Sequence, residues 1–379
     1  MLDQLLGILR NTFFESIRQP VVLVVLAIAT LALVLSNPLS AFTLSDDQRM
    51  LVDMGLATVF LCGGLLAAFV ATGVLTREIE NKTALTVISK PVGRPMFVIG
   101  KFLGVAGALL LCTAFMSTVF LLVEQHSVLQ TARDPINVPV VVFGAGAVLI
   151  GSGIAIWCNY FYGLNFVSTI ICSTTPLVII AYVLSLMFRA DFSPQPIGRD
   201  FDVDLVKAII VMAMAILVLT AVAVAASARL GSLLTLVVTI GVFVVGLMSD
   251  WLIGRRIEAI RGTWLERAVA GGLTEQREFI PEYTLTTGEV QRAPIPEIRE
   301  IPTVELSTLA EGSETMALMG WKLLYSIVPN FQMLWLSDAL TQRRLIPWEY
   351  VASSMLYGLM YVIAALALAV ALFQRREVG

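Results

Sequence analysis

Apolar and charged residues are segregated along this chain in long blocks. Seven stretches contain no Asp, Glu, Lys or Arg: 19–45, 54–76, 102–123, 135–188, 208–228, 230–249 and 350–374. A helix needs about 20 apolar residues to cross a bilayer core. The fourth stretch is long enough for two crossings, and its middle, Cys158-Asn159-Tyr160-Phe161-Tyr162-Gly163-Leu164-Asn165, reads as a polar, aromatic interfacial turn. The pattern therefore predicts about eight transmembrane helices, near 20–37, 55–76, 98–123, 139–158, 166–188, 205–228, 231–250 and 349–373. The runs lack the strict two-residue alternation of a membrane barrel, so the expected fold class is an all-α polytopic membrane protein. No small-residue cleavage site follows the first run, which is read as an uncleaved span.

Between the spans the pattern changes character. Residues 1–18 put Leu2, Leu5, Leu6, Leu9, Phe13 and Ile17 on one helical face, the signature of an amphipathic elbow helix lying on the membrane before the chain turns in at Pro20. Residues 77–91, between the second and third spans, read as a short exposed helix. Glu78 and Lys82 form a favourable i,i+4 pair, Ala84, Val87 and Ile88 share a face, and Pro91, Gly93 and Pro95 end the helix. A rigid exposed helix between two spans fits a docking element for a partner. Residues 251–320 are expected to form a small β-containing insertion, as a cap or an extended arm, with 251–280 helical and Glu282–Val290 as strand, turn and strand, or else to be mostly disordered. Residues 321–348 are dense in aromatic groups and broken at Pro329-Asn330, which predicts short re-entrant or interfacial helices. The organisation expected is thus 1–18, 19–250 with the 77–91 helix, 251–320, 321–348 and a last span with its tail, 349–379.

Composition agrees with the pattern. Of 379 residues, 58% are hydrophobic and only 14% charged, against about 25% charged for a soluble domain. The formal net charge of −3 gives no basic excess for nucleic acid. Charge also sets orientation. With the N-terminus inside, Arg10, Arg18, Arg77, Lys82, Lys90, Arg94, Lys101, Arg229, Arg375 and Arg376 face the cytoplasm, against Arg49, Arg133, Arg189, Arg199 and Lys207 in short outer loops. Both termini are then cytoplasmic, in the plasma (cell inner) membrane, and 251–320 is extracytoplasmic.

The chemistry search is largely negative. A single histidine, His126, makes no metal or catalytic constellation, and the cysteines Cys62, Cys112, Cys158 and Cys172 read as small buried hydrophobes. The expectation is no catalytic residues, no metal and no cofactor of the chain's own. Carboxylates fall at span ends, and Lys207 and Asp250 are placed at interfaces where they can snorkel, which argues against a proton-coupled transporter. Small residues recur at Gly100-x-x-x-Gly104 and Ala147-x-x-x-Gly151, either as ordinary packing or as a dimer or mobile interface.

Four segments carry a resemblance. They are the amphipathic start; Arg77-Glu78-Ile79-Glu80-Asn81-Lys82-Thr83 running to Ser89-Lys90-Pro91-Val92-Gly93-Arg94; Ala225–Leu230 with Gly246-Leu247-Met248-Ser249-Asp250-Trp251-Leu252; and Ile327-Val328-Pro329-Asn330-Phe331-Gln332 with Asp338-Ala339-Leu340, Ile346-Pro347-Trp348 and the end of the last span. Together they resemble the permease subunits of ATP-binding-cassette exporters of the second type, over roughly 1–124 and 205–379. The resemblance implies a dimer, with a second permease copy or a paralogue, embedded in the lipid bilayer. It also implies a separate cytoplasmic ATPase subunit that binds ATP and magnesium. Arg77, Glu78, Ile79, Glu80, Lys82, Thr83, Val87, Ile88 and Lys90 would form the ATPase-coupling segment. Pro329, Asn330, Phe331, Trp335 and Asp338 would form an outer re-entrant gate. The family core has six spans, so spans four and five are an added pair. Transmission of force to an extracytoplasmic partner, secondary transport, and a membrane scaffold or embedded enzyme are the alternative readings.

Overall fold

A computed structural model describes residues 2–43, 46–80, 93–128, 136–286, 288–292 and 296–374, and for 74–80 the backbone alone. The chain divides into two units, 1–240 with 351–379, and 241–350. Among the described residues seven helices are long and apolar enough to cross a membrane, or eight if one bent pair counts as a span. The architecture is that of an all-α multi-pass membrane protein.

In the first unit, α1 (Leu2–Ile17) precedes α2 (Pro20–Ser40), α3 (Asp47–Glu80), α4 (Arg94–His126), α5 (Val138–Tyr162), α6 (Phe166–Leu186) and α7 (Val203–Ser227). The last helix, α12 (Trp348–Gln374), returns most of its length to this unit. At about 1.5 Å per residue, the 34 residues of α3 and the 33 of α4 each exceed the roughly 30 Å hydrocarbon core. The sequence runs from Asp47 to Glu80 without Pro, so the helix is continuous and its backbone reaches Glu80; the remainder of the expected 77–91 helix lies outside the described residues. α4 starts just past Gly93 with Pro95 in its first turn, where a missing N–H costs nothing. Arg94 donates from Nη1 to the Gln374 carbonyl at 2.9 Å and ties the start of α4 to the end of α12. Phe97 and Phe373 stack beside that bond, 5.8 Å between centroids.

Small residues set the packing. A methyl group added at Gly104 would lie 2.7 Å from the Leu9 carbonyl and 3.0 Å from the Phe13 amide, so α1 rests its backbone directly on α4. At Gly151 a methyl would lie 2.9 Å from Thr174 Cα, so α5 and α6 meet in the same way. Both small-residue repeats seen in the sequence are therefore used inside the chain. Within the α5–α6 hairpin, Gly163 takes a left-handed conformation (φ +63°) that terminates α5. Asn165 caps α6, accepting from the Ser168 amide at 3.1 Å. The interfacial turn read from the sequence is this cap pair.

Two sequence readings change. Lys207 is not solvent-exposed: its Nζ is 2.7 Å from Asp204 Oδ1, and both side chains are buried. Lys101 is also buried, with Nζ 3.5 Å from Glu15 Oε2 on α1. Of the cysteines, Cys112 is buried, whereas Cys62 and Cys158 are half-buried and Cys172 is exposed on α6.

The second unit begins within α8 (Ser232–Leu247). The run 231–250, read as a straight span, gives only 16 residues of α-helix. A π-helical turn follows at Asp250–Gly254, then α9 (Arg255–Ala270), with a 62° bend between Ser232–Leu247 and Asp250–Ala270. Two antiparallel ribbons come next: β1 (Thr274–Phe279) pairs with β4 (Glu297–Pro302), and β2 (Glu282–Thr284) pairs with β3 (Val290–Arg292). The inner ribbon is the strand–turn–strand foreseen at 282–290, with Gly288 at φ +83° in its connection. An isolated two-stranded ribbon is marginal in water, so the helices beside it matter. α10 (Gly312–Ile327) opens on a capping box between Glu311 and Glu314. The helix therefore starts ahead of the 320/321 boundary drawn from the aromatic pattern. A short 3-10 turn (Gln332–Leu334) and α11 (Ser337–Thr341) lead to α12.

α9 and α10 are clamped by one carboxylate. Arg267 donates to both oxygens of Glu314 at 2.7 Å, and Trp264 donates to Oε2 at 2.9 Å. The two charge-assisted bonds from Arg267 are the main reason the Glu314 carboxyl falls from 4.5 to about 2.

Candidate functional site at the Asp250 bend

Two of the segments that carried the resemblance, 246–252 and 327–332, meet at the π-helical turn. The apolar helix ends there with one of its last carbonyls satisfied from outside it. Phe331 donates its backbone amide to the Gly246 carbonyl at 3.2 Å, satisfying one of the acceptors a helix C-terminus leaves open. The approach is close. A methyl group at Gly246 would lie 2.6 Å from both the Pro329 carbonyl and Phe331 Cδ2. Only glycine admits this contact. The Phe331 ring is fully buried and packs at 6.0 Å from the Phe243 ring, one helical turn earlier in α8.

One turn beyond Gly246, Asp250 closes a polar triad. Tyr325, in the last turn of α10, donates its phenol to Asp250 Oδ1. Asn330 Nδ2 donates to the same carboxylate oxygen at 3.2 Å and to the Tyr325 phenol at 2.6 Å. The Asn330 carbonyl Oδ1 accepts from the amides of Gln332 (2.8 Å) and Met333 (3.3 Å), which shapes the turn after Pro329. Asn330 is buried and has its amide saturated on both ends, so the turn is held rigidly to the bend. Tyr350 adds a bond from its hydroxyl to the Met333 carbonyl at 2.9 Å.

The expected gate residues divide. Pro329, Asn330 and Phe331 are buried and form this junction. Trp335 is half-buried and Asp338 exposed; both line a separate hollow of about 350 Å³ with Arg344 and Tyr350. Of the expected coupling residues, Arg77, Glu78, Ile79 and Glu80 continue the backbone of α3. Lys82, Thr83, Val87, Ile88 and Lys90 lie outside the described residues. The sequence did not single out Tyr325 or Gly246 for this junction. The spacing of Gly246 and Asp250, i and i+4, was the available signal, since it puts both on one helical face. Among the described residues no group of three or more His, Cys, Asp or Glu is placed to hold a metal ion. No family model matches the chain, and neither a curated protein nor a solved structure matches it significantly.

Proposed function

We propose that this chain is the membrane permease subunit of an ATP-binding-cassette exporter of the second type. The observation that carries the reading is the junction at Asp250: segments 246–252 and 327–332, each similar to that family, converge on one buried contact in unit 241–350. Such a junction gives a short re-entrant element a fixed seat immediately before the last span, as an outer gate requires. The helix α1 lying on α4, and Arg94 holding the end of α12, support it further. Both are means of passing a displacement at the 77–94 connection to several spans at once.

In this reading Arg77, Glu78, Ile79, Glu80, Lys82, Thr83, Val87, Ile88 and Lys90 dock a separate cytoplasmic ATPase, which supplies ATP and magnesium chemistry. The permease works as a dimer, with both termini in the cytoplasm of a cell bounded by this inner membrane. Pro329, Asn330 and Phe331 are the gate's anchor, and Trp335 and Asp338 lie on its moving side. A second reading, force transmission to an extracytoplasmic partner, is favoured by the exposed ribbons of 274–302, which are more than a gate needs. The test is charge reversal at Glu78 and Glu80 in the membrane-inserted chain. The expected result is normal insertion with loss of the ATPase partner. Retention of the partner at the wild-type level would sink the coupling assignment.

A further inference from the structure

The π-helical turn also opens a hollow of about 420 Å³, lined by Asp250, Trp251, Gly254, Arg255, Glu258 and Gln332. A π turn inserts an extra residue into a helix, and such turns concentrate at functional sites. Here the Arg255 amide reaches back five residues to the Asp250 carbonyl. Asp250, Arg255 and Glu258 thereby line one cavity with charges of both signs. Arg255 stacks its guanidinium over the Trp251 ring at 5.5 Å, which leaves the donors at its edge free to meet an anion. Among the described residues neither Arg255 nor Glu258 has an ion-pair partner. Asp250, which lines the hollow, uses Oδ1 for Tyr325 and Asn330, and among the described residues its Oδ2 carries no hydrogen bond.

We propose that this hollow binds the headgroup of a zwitterionic phospholipid carrying a primary ammonium, with phosphate at Arg255 and ammonium between Asp250 and Glu258. The charge balance selects this class. Two carboxylates against one guanidinium disfavour a headgroup that is only anionic. An ammonium has three N–H donors for two carboxylates, whereas a quaternary amine has none. The surroundings select a lipid over a soluble zwitterion. The cavity opens where an apolar helix ends, and Val244, Met248, Trp251 and Leu252 around it are exposed. Tryptophan at such a place favours the headgroup layer, and acyl chains would run along the exposed face of α8. The inference stands on residues 241–350 alone and does not depend on the proposed ATPase.

The test uses the full chain in detergent micelles with equal amounts of dioleoyl phosphatidylethanolamine, phosphatidylcholine and phosphatidylglycerol, and native mass spectrometry to count retained lipid. The wild type should retain the ethanolamine lipid at least about tenfold over either competitor, the scale of one charge-assisted hydrogen bond. Arg255→Gln should abolish retention of all three above background. Glu258→Gln should erase the preference over phosphatidylglycerol. Both side chains are exposed, so both variants should keep the wild-type melting temperature. Equal retention of the three lipids by the wild type, or an unchanged preference in both variants, would overturn the proposal. Displacement of the lipid by equimolar soluble phosphoethanolamine would assign the hollow to a free zwitterion instead, and would equally overturn it.

Discussion

Asn330 donates one amide group to both Asp250 Oδ1 (3.2 Å) and the Tyr325 phenol (2.6 Å), across 80 and 5 residues of chain. That pair of bonds converts the end of an apolar helix into a fixed junction. The aspartate is the only charged member, so the three residues should behave as one unit in mutagenesis. Removing one bond to a charged group costs about 1.5–3 kcal/mol. Asn330→Ala should therefore lower stability by roughly 2 kcal/mol, measured by thermal unfolding in detergent. Asp250→Ala added to Asn330→Ala should cost far less than the sum of the single changes. Additive losses would show that the triad does not act together.

Gly246 should tolerate no side chain. The atoms nearest an added methyl include the Pro329 carbonyl, a backbone group that cannot rotate away. Gly246→Ala should cost about 1–3 kcal/mol, the usual penalty of overpacking. Phe331→Leu, which relieves only the ring contact, should restore part of that loss. Wild-type thermal stability of Gly246→Ala would contradict the close seat of the 329–331 turn.

The seat of α1 on α4 predicts an order among three glycines. A methyl at Gly104 meets the Leu9 carbonyl at 2.7 Å, whereas at Gly107 it meets only the Phe13 ring at 3.4 Å. At Gly100 it meets Ile8 Cγ2 at 2.9 Å, and none of its three nearest atoms is backbone. Gly104→Ala should be the most damaging of the three alanine variants, by about 1–3 kcal/mol, and Gly107→Ala the least. Proteolysis of the α1 terminus provides the readout, since a displaced α1 is cut faster. Equal cutting of all three would remove the contact from the account.

The α9–α10 clamp gives a pH dependence. Glu314 falls from 4.5 to about 2, chiefly through the bonds Arg267 donates to it. A carboxyl lowered in the folded state stabilises fully above its unfolded value and loses that contribution as pH falls through the folded one. Stability from this pair should therefore be constant above about pH 4.5 and decline from there toward pH 2. Glu314→Gln should be less stable at pH 7 and show a flatter profile below pH 4.5. Thermal midpoints of both proteins across that range decide it. Parallel profiles would mean the pair contributes nothing.

The membrane helices were the most legible part of the chain, because a run free of charge long enough to cross lipid has few other uses. The α5–α6 turn was legible too, since Gly163 and Asn165 carry local capping chemistry. The bend at Asp250 was not. The run 230–249 is as apolar as any span. Its helix ends at Leu247 and is followed at Asp250–Gly254 by a π turn held by bonds to Tyr325 and Asn330, 75 and 80 residues away. No local pattern encodes such partners. The burial of Lys207 was not legible for a different reason: its partner Asp204 lies only three residues earlier, and whether such a pair is buried depends on the helices packed against it. The start of α10 was missed because aromatic density drew the boundary, while the capping signal Glu311-x-x-Glu314 lay upstream.

On the proposed function, residues 77–90, which begin in the last turn of α3, dock an ATPase. The most direct test of this docking is affinity purification of the full chain in mild detergent, with identification of what accompanies it and an ATPase assay on the eluate. A stoichiometric ATP-binding subunit should accompany the chain, lost when Glu78 and Glu80 are reversed and kept when Asn330 is changed to alanine. A chain that purifies alone and without ATPase activity, in every detergent that preserves its fold, would contradict it.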